Sequence, residues 1–414
     1  MKIALVSPYH GGSHRAWAEG FQQHSRHDVN LLTLPDRFWK WRMHGGAVTL
    51  ARRFMEEEQR PDLILATDML DLTTFLALTR PDSGQTPAVL YMHENQLTYP
   101  LPAGNTTGPM RRQLGQRDQH YAFINYASML AADRVLFNSQ YHHDSFFSAL
   151  PNFLKHFPEY NELSTIAKLQ AKSQVLPVGI DLKRLEIRDW RSENNPQWNI
   201  DQSPIPNLHS PLPDGTSDNP HSLILWNQRW EYDKNPADFF RALYMLADEG
   251  IAFRLALCGQ QYGKRPPVFD EAAERLSDRI IHIGYAKEEL YKELLWQAAV
   301  TVSTAHHEFF GISILEAIAC HTFPILPHRL SYPELIPEPY HFRCLYQDQD
   351  GLVQRLRWAL THTEEAATLA VEVATAVQQY DWTRLAPRYD AVLAEVVNGD
   401  NQQQQHRPTN QPTS

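Results

Sequence analysis

Two series of short apolar runs, each alternating with stretches whose apolar residues recur at helical spacing, divide this chain into halves. In the first half the runs fall at residues 3–6, 63–66, 88–91, 135–137 and 175–176. In the second they fall at 223–226, 254–257, 280–283, 300–303 and 324–326, with a further helical pattern near 364–379. Runs apolar on both faces and separated by helices predict parallel strands with crossover connections, hence an α/β class with one sheet in each half. From about 186 to 220 the pattern stops: Asn194-Asn195-Pro196, Ser203-Pro204-Ile205-Pro206 and Ser210-Pro211-Leu212-Pro213-Asp214-Gly215 do not support regular structure. The expected organisation is therefore a first domain at 1–182, a linker with an Asn/Pro-rich insertion at 183–220, and a second domain at 221–398. A tail at 399–414, rich in Gln, Asn, Pro and Thr, is expected to be disordered. There is no fixed-period repeat.

The strongest chemical signal is the junction after the run at 300–303. Glu308 lies in the loop at the carboxyl end of that strand, and Glu316 lies about one turn into a helix predicted to begin near Phe310 or Gly311, with Ile312, Leu315, Ile318 and Ala319 as its packed stripe. Backbone N–H groups at the helix start, around Phe310, Gly311 and Ile312, can bind phosphate, and the carboxylates can accept hydrogen bonds from hydroxyls. A nucleotide sugar carries both groups. Upstream, the strand at 223–226 ends in a loop with Arg229 and Lys234 just before a helix starting around Pro236. A flat guanidinium and a mobile ammonium at the carboxyl end of a sheet strand suit a diphosphate; the alternative is two solvated surface cations.

The first half offers Gly11-Gly12-Ser13-His14 after the first strand, a turn able to approach a ligand or simply a tight turn, and His93-Glu94-Asn95 at the end of the strand at 88–91. His93 can hydrogen-bond a sugar hydroxyl or serve as a satisfied structural histidine. Asn138 and Ser139 can cap the helix that follows them. Asp348-Gln349-Asp350 has the spacing of a metal-bound diphosphate site but lies away from the other motifs and reads as a solvated loop. His142-His143 and His306-His307 lack metal-ligand spacing, so no catalytic metal is expected.

A length of 414 residues with 43% hydrophobic content suffices for two cores. The net charge of −10 and pI near 6.0 argue against a general nucleic-acid binder. Local patterning changes that picture. No acidic residue occurs from Arg37 to Met55, where Arg37, Lys40, Arg42, Arg52 and Arg53 are interleaved with Phe38, Trp39 and Trp41; the stretch from Asn95 to Arg117, with Arg111, Arg112 and Arg117, is also free of acids. Interleaved cations and aromatics suit phosphate contacts and stacking on unpaired bases, or a half-buried face with snorkelling cations. Three widely spaced cysteines give no disulfide or zinc pattern, and no run approaches the roughly 18 apolar residues of a membrane span, so a cytoplasmic enzyme is expected.

Glu308 and Glu316 with Arg229 and Lys234 resemble the donor site of retaining glycosyltransferases of the GT-B fold, in family 4. Tyr9-His10-Gly11-Gly12-Ser13-His14, Leu34-Pro35 with Trp39-Lys40-Trp41-Arg42, His93-Glu94-Asn95-Gln96-Leu97-Thr98-Tyr99-Pro100, Phe137-Asn138-Ser139 and Arg229-Trp230-Glu231-Tyr232-Asp233-Lys234 narrow the resemblance to the tRNA-queuosine mannosyltransferase family. That resemblance implies two Rossmann-like domains with a ligand cleft between them and GDP-mannose as donor. It implies retention at the anomeric carbon and, as acceptor, queuosine at the wobble position of tRNA-Asp. It implies Arg229 and Lys234 on the diphosphate, Glu316 on the ribose, Glu308 and His93 at the transferred sugar, and no cofactor beyond the donor. Gly11 and Gly12 would lie beside the donor, and Ser13, His14, Lys40, Arg42, Asn95, Arg111 and Arg112 would meet the acceptor. No covalent nucleophile is assigned.

Overall fold

The computed structural model describes residues 1–100, 109–186, 222–259 and 266–405, without the side chains of 109–118 and 400–405. Contacts divide the chain into two compact units. The first comprises Met1–Tyr99, Gly104–Ile180 and the chain from Tyr380 onward; the second is built on Asp181–Gln379.

The first unit holds strands β1 (Lys2–His10), β2 (Asp28–Pro35), β3 (Leu63–Thr67), β4 (Ala88–Met92), β5 (Arg134–Phe137) and β6 (Ser173–Val175), in the order β2-β1-β3-β4-β5-β6 and all parallel. The second holds β7 (Leu223–Asn227), β8 (Arg254–Cys258), β9 (Ile280–Gly284), β10 (Val300–Val302), β11 (Phe323–Pro327) and β12 (Leu345–Tyr346), in the order β12-β11-β10-β7-β8-β9, also all parallel. Every residue of β3, β4, β7, β8, β10 and β11 is buried, as strands covered by helices on both faces must be. The two strands that the apolar runs do not announce are both at sheet edges. Asp28, Asn30 and Thr33 break up the apolar run of β2, which alternates exposed and buried positions, and β12 is only two residues long.

The chain end departs from the sequence expectation in two ways. The helix Trp382–Gln405 belongs to the first unit, so the domain boundary placed at 398 moves to about 380. Its apolar face explains this: Trp382, Leu385, Ala386, Tyr389 and Leu393 are buried, the Trp17 indole donates to the Tyr389 hydroxyl at 3.0 Å, and that hydroxyl donates to the Pro177 carbonyl at 2.8 Å. Asp390 accepts from the Ser25 hydroxyl at 2.6 Å and the Arg26 backbone N–H at 3.0 Å. The start of the tail also continues the helix to Gln405 rather than being disordered, since lengthening an anchored helix costs little and glutamine is a fair helix former. Residues 406–414 lie outside the described residues, as do 187–221, which include most of the predicted linker and insertion; Leu182–Leu185 form a short helix packed in the second unit. Among the described residues no helix is long and apolar enough to cross a membrane.

Trp382 constrains two glycines. A Cβ at Gly20 would lie 2.1 Å from the Trp382 Nε1, and one at Gly179 would lie 2.3 Å from its Cδ2. Alanine for glycine inside a helix ordinarily stabilises by about 1 kcal/mol. Here Gly20→Ala, inside the helix Gly12–His24, should instead destabilise by about 1–3 kcal/mol through overpacking, as should Gly179→Ala outside any helix, each lowering the thermal midpoint by several degrees. In a Trp382→Leu background the alanine penalty should vanish; a melt in which Gly20→Ala raises the midpoint would refute this packing.

Candidate functional site

In the second unit, β7 and β10 end side by side and their loops are fastened together. The Thr304 hydroxyl donates toward the Lys234 and Asn235 carbonyls, at 3.0 and 2.8 Å, and the His306 N–H donates to the Asp233 carbonyl at 2.8 Å. Lys234, only 5% exposed, extends its ammonium to the His307 carbonyl at 2.9 Å and Glu308 Oε2 at 3.1 Å, with the buried Asp233 carboxylate 3.4 Å away. It is not the solvated cation that a loop lysine usually is. Burial works against charge on Glu308, but Lys234 and the Phe310 N–H, 3.3 Å from Oε1, outweigh it and hold the carboxyl below its ordinary range. His307 is pushed down to about 4 by burial and then by the Lys234 charge, so its imidazole is neutral. Arg229 differs: its side chain is 45% exposed and lies 3.3 Å from Glu231, whose carboxyl burial raises.

The helix after this loop is Ile312–Ala319, starting one or two residues later than the sequence indicates. Its buried positions are Ile314, Leu315, Ala317 and Ile318, so the packed stripe is shifted from the predicted one, and Ile312 and Ala319 are only half-buried. Gly311 precedes it at φ +101, a conformation that disfavours a side chain, and no side chain caps the helix start. Phe310 is buried, with its carbonyl receiving the Ser331 hydroxyl at 3.0 Å, so what it offers a ligand is backbone. Glu316 is raised by burial, opposed by the Tyr291 hydroxyl that donates to it at 2.8 Å. Asn227 fixes this pair, donating to the Ser313 carbonyl at 2.7 Å and to Tyr291 at 3.2 Å. The two carboxylates are thus shifted in opposite directions, one toward the anion and one toward the acid.

In the first unit the His93-Glu94-Asn95-Gln96 loop after β4 is clamped by buried polar groups. The His93 N–H donates to Asp68 Oδ1 at 2.9 Å and its carbonyl accepts from Asn138 at 2.8 Å; Asn125 accepts from the Gln96 N–H and donates to the Asp68 carbonyl, both at 2.9 Å. The His93 ring packs against His14, Trp17 and Tyr91 with centroids 4.3, 4.7 and 4.7 Å away, and its Nε2 is buried without a hydrogen-bond partner. Burial first, then the neighbouring His14 and His142, keep this imidazole neutral. Asp68 is raised well above the carboxylate range, by burial and then by the Glu94 charge.

Other predicted residues have more structural duties. The Asn95 side-chain Oδ1 accepts from the Leu97 and Thr98 N–H groups, forming a turn. Gly11 leaves room for the Asp36 carboxylate, which a Cβ would meet at 2.1 Å, and Gly12 sits at φ +51. Ser13 is exposed, whereas His14 is buried against His93. Arg42 donates to the Pro35 carbonyl at 3.2 Å, and Lys40 lies 5.3 Å from the Trp39 ring centre. The side chains of Arg111 and Arg112 are outside the described residues. Ser139 caps its helix by accepting from the His142 N–H at 3.0 Å. Asp348 likewise is a helix cap, accepting from the Gly351 N–H at 2.8 Å; it and Asp350 are exposed, as a solvated segment would be, but Asp350 lies in the helix rather than in a loop. No group of three metal-capable side chains occurs among the described residues.

Sequence reasoning missed Asp68, Asn125 and Tyr291. Asp68 directly follows β3 at its carboxyl end, the same positional signal that selects His93 and Glu308. Asn125 and Tyr291 lie inside helices, where nothing local marks them.

The neutral His307 makes stability depend on pH. Between about 6.5 and 4 the unfolded chain takes up a proton that the folded site refuses, so stability falls as pH drops through this window and the loss levels off below about 4. By pH 5 this amounts to about 2 kcal/mol. Urea midpoints at pH 7.5 and 5.0 should show that extra acid loss in the parent and not in His307→Gln; equal losses in both would mean that His307 titrates as in an unfolded chain.

Comparison with known proteins agrees with both units. Residues 2–180 match the family described as tRNA-queuosine alpha-mannosyltransferase N-terminal, and residues 214–372 match glycosyl transferases group 1. The chain is 30% identical over 355 residues to the tRNA-queuosine alpha-mannosyltransferase of Drosophila melanogaster, covering 86% of this chain and 85% of that one. It is 25% identical over 179 residues to a GDP-mannose:cellobiosyl-diphosphopolyprenol alpha-mannosyltransferase of Xanthomonas oryzae pv. oryzae (strain PXO99A), covering 41% of this chain and 46% of that one. In fold it is similar to the catalytic domain of starch synthase IV from Arabidopsis thaliana, bound to ADP and acarbose, with a TM-score of 0.71, 12% identity, and coverage of 96% of this chain and 99% of that one. Two parallel six-stranded sheets covered by helices, with these relatives, make the fold GT-B. The chain belongs to the tRNA-queuosine alpha-mannosyltransferase family of glycosyltransferases.

Proposed function

We propose that the protein transfers mannose from GDP-mannose, with retention at the anomeric carbon, to the cyclopentene diol of queuosine at the wobble position of tRNA-Asp. The observation that carries this reading is the enclosed Lys234–Glu308 pair beside the uncapped helix start at Gly311, in a chain whose first unit matches the queuosine-specific N-terminal family. The donor is supported by the bacterial relative whose activity uses GDP-mannose.

In this reading Lys234 and Arg229 stabilise the diphosphate as its bond to the sugar breaks, and they act strongly because one of them is removed from water. The free amides after Gly311 receive phosphate oxygens. Glu308, already ionised, accepts hydrogen bonds from mannose hydroxyls. Glu316, oriented by Tyr291 and Asn227, meets the ribose. His93 offers a neutral imidazole to a sugar hydroxyl. No residue serves as covalent nucleophile, and no metal is needed, since the one Asp-x-Asp sequence is committed at Asp348 to capping a helix.

The test is transfer of labelled mannose from GDP-mannose to queuosine-containing tRNA, read by nucleoside mass spectrometry. Glu308→Gln and Arg229→Ala should each lose about a hundredfold or more, and the parent should keep its activity in excess EDTA. Transfer to glycans or small molecules with none to tRNA would replace this acceptor. Complete loss in EDTA, restored by magnesium or manganese, would overturn the metal-free reading.

A further inference from the structure

The segment after β2 carries an unusual surface. Phe38 is 78% exposed and Trp41 is 64% exposed, at the start of the helix Trp39–Glu56. Phe38 also has φ 54 and ψ 54, the left-handed conformation that a bulky side chain adopts only at a cost. Exposure of two large aromatics and strain at one of them are both unfavourable for the isolated chain, and such strain concentrates where ligands bind. Trp39, by contrast, is half-buried against Tyr121 with centroids 5.3 Å apart and joins the small cluster around Met43, Met69 and Ile124. The residue able to stack on a ligand is therefore Trp41, with Phe38 three residues before it, and not Trp39.

Gly45 gives Trp41 its form. A Cβ at Gly45 would lie 2.7 Å from the indole Cε2 and Cζ2, so the ring rests on the bare helix backbone one turn along while most of its surface meets solvent. A ring supported this way is a fixed platform rather than a mobile side chain. The surroundings are cationic in an otherwise acidic protein. Arg37 and Lys40 are exposed, Arg42 is half-buried with its Nε on the Pro35 carbonyl, and no acidic residue occurs from Arg37 to Met55 in a chain of net charge −10. Flat π-surface with clustered cations is complementary to an unpaired nucleobase and its flanking phosphates. A carbohydrate would also stack on the rings, but a neutral glycan gives no reason for the cations.

We propose that Trp41 and Phe38, with Arg37, Lys40 and Arg42, form a platform on which an unpaired base of the RNA acceptor stacks. This rests on the RNA-acceptor reading given above and assigns the surface that carries it. The expected consequence is a preference for looped over fully paired RNA, because only an unpaired base presents its face.

The test measures binding of the full chain to a synthetic anticodon stem-loop RNA and to a duplex RNA of equal length, by fluorescence anisotropy. Trp41→Ala should weaken loop binding roughly five- to a hundredfold while leaving duplex binding nearly unchanged, and Trp41→Phe should keep most of the affinity. Phe38→Gly should also weaken loop binding, yet raise the thermal midpoint by about two to four degrees because the strain is released. Replacing Arg37, Lys40 and Arg42 by Ala should flatten the dependence of affinity on salt. Parent-like loop binding by Trp41→Ala, or equal losses on loop and duplex, would overturn the platform and leave the rings to a protein or glycan partner. A parent protein that binds neither RNA and modifies no tRNA would instead overturn the acceptor reading itself.

Discussion

A buried lysine must be paired, and the architecture of the second unit follows from how Lys234 is paired. Its ammonium is withdrawn from water and held by the His307 carbonyl, Glu308 and Asp233, whose charges come from two loops more than seventy residues apart in sequence. That requirement fastens the end of β7 to the end of β10, fixes Glu308 as an anion, and leaves His307 neutral. The glycine turn and the uncapped helix start come next in the chain, so one charge cluster sets the position of the amides, the carboxylate and the cation together. A site built this way is organised before any ligand arrives, which is what the proposed stabilisation of a leaving diphosphate requires.

The first unit reaches rigidity with buried polar side chains. Asp68, Asn125 and Asn138 consume the backbone donors and acceptors of the His93 loop, and Asn95 closes its turn, from which Leu97 packs against the core. What remains of His93 is a neutral ring with an unpartnered Nε2, packed on three sides by aromatic rings. Trp17 and Tyr91, two of the rings near it, are also tied to the C-terminal helix through Tyr389, so the stability of this site depends on residues from both ends of the chain.

The sequence made the central strands legible because each is a short run apolar on both faces, and parallel order follows from the helices between them. Edge strand β2 escaped because one of its faces is wet, and the boundary was set at 398 rather than about 380 because nothing local in the sequence says which unit the residues after 380 pack against. At the site, Glu308, Glu316, Arg229 and Lys234 were singled out by their position after strands. Lys234's enclosure was not, since burial of a loop cation depends on two carboxylates distant in sequence or adjacent to it, and a local pattern carries no such information. The same limit hid Asn125 and Tyr291, helical residues whose partners lie on other elements. Between Trp39 and Trp41 the sequence offered no choice; Gly45 makes it, by giving one ring a backbone to lie on.

The central claim is that Lys234 and the Glu308 carboxylate act as one unit, and a double-mutant cycle in denaturant unfolding addresses it directly. Lys234→Met should cost about 3–5 kcal/mol, because it strands carboxylates in a poorly solvated site. Adding Glu308→Gln should recover part of that loss, giving a coupling energy above about 1 kcal/mol. Costs that add to within about 0.5 kcal/mol would contradict the account, since they would mean that Lys234 and Glu308 do not depend on each other.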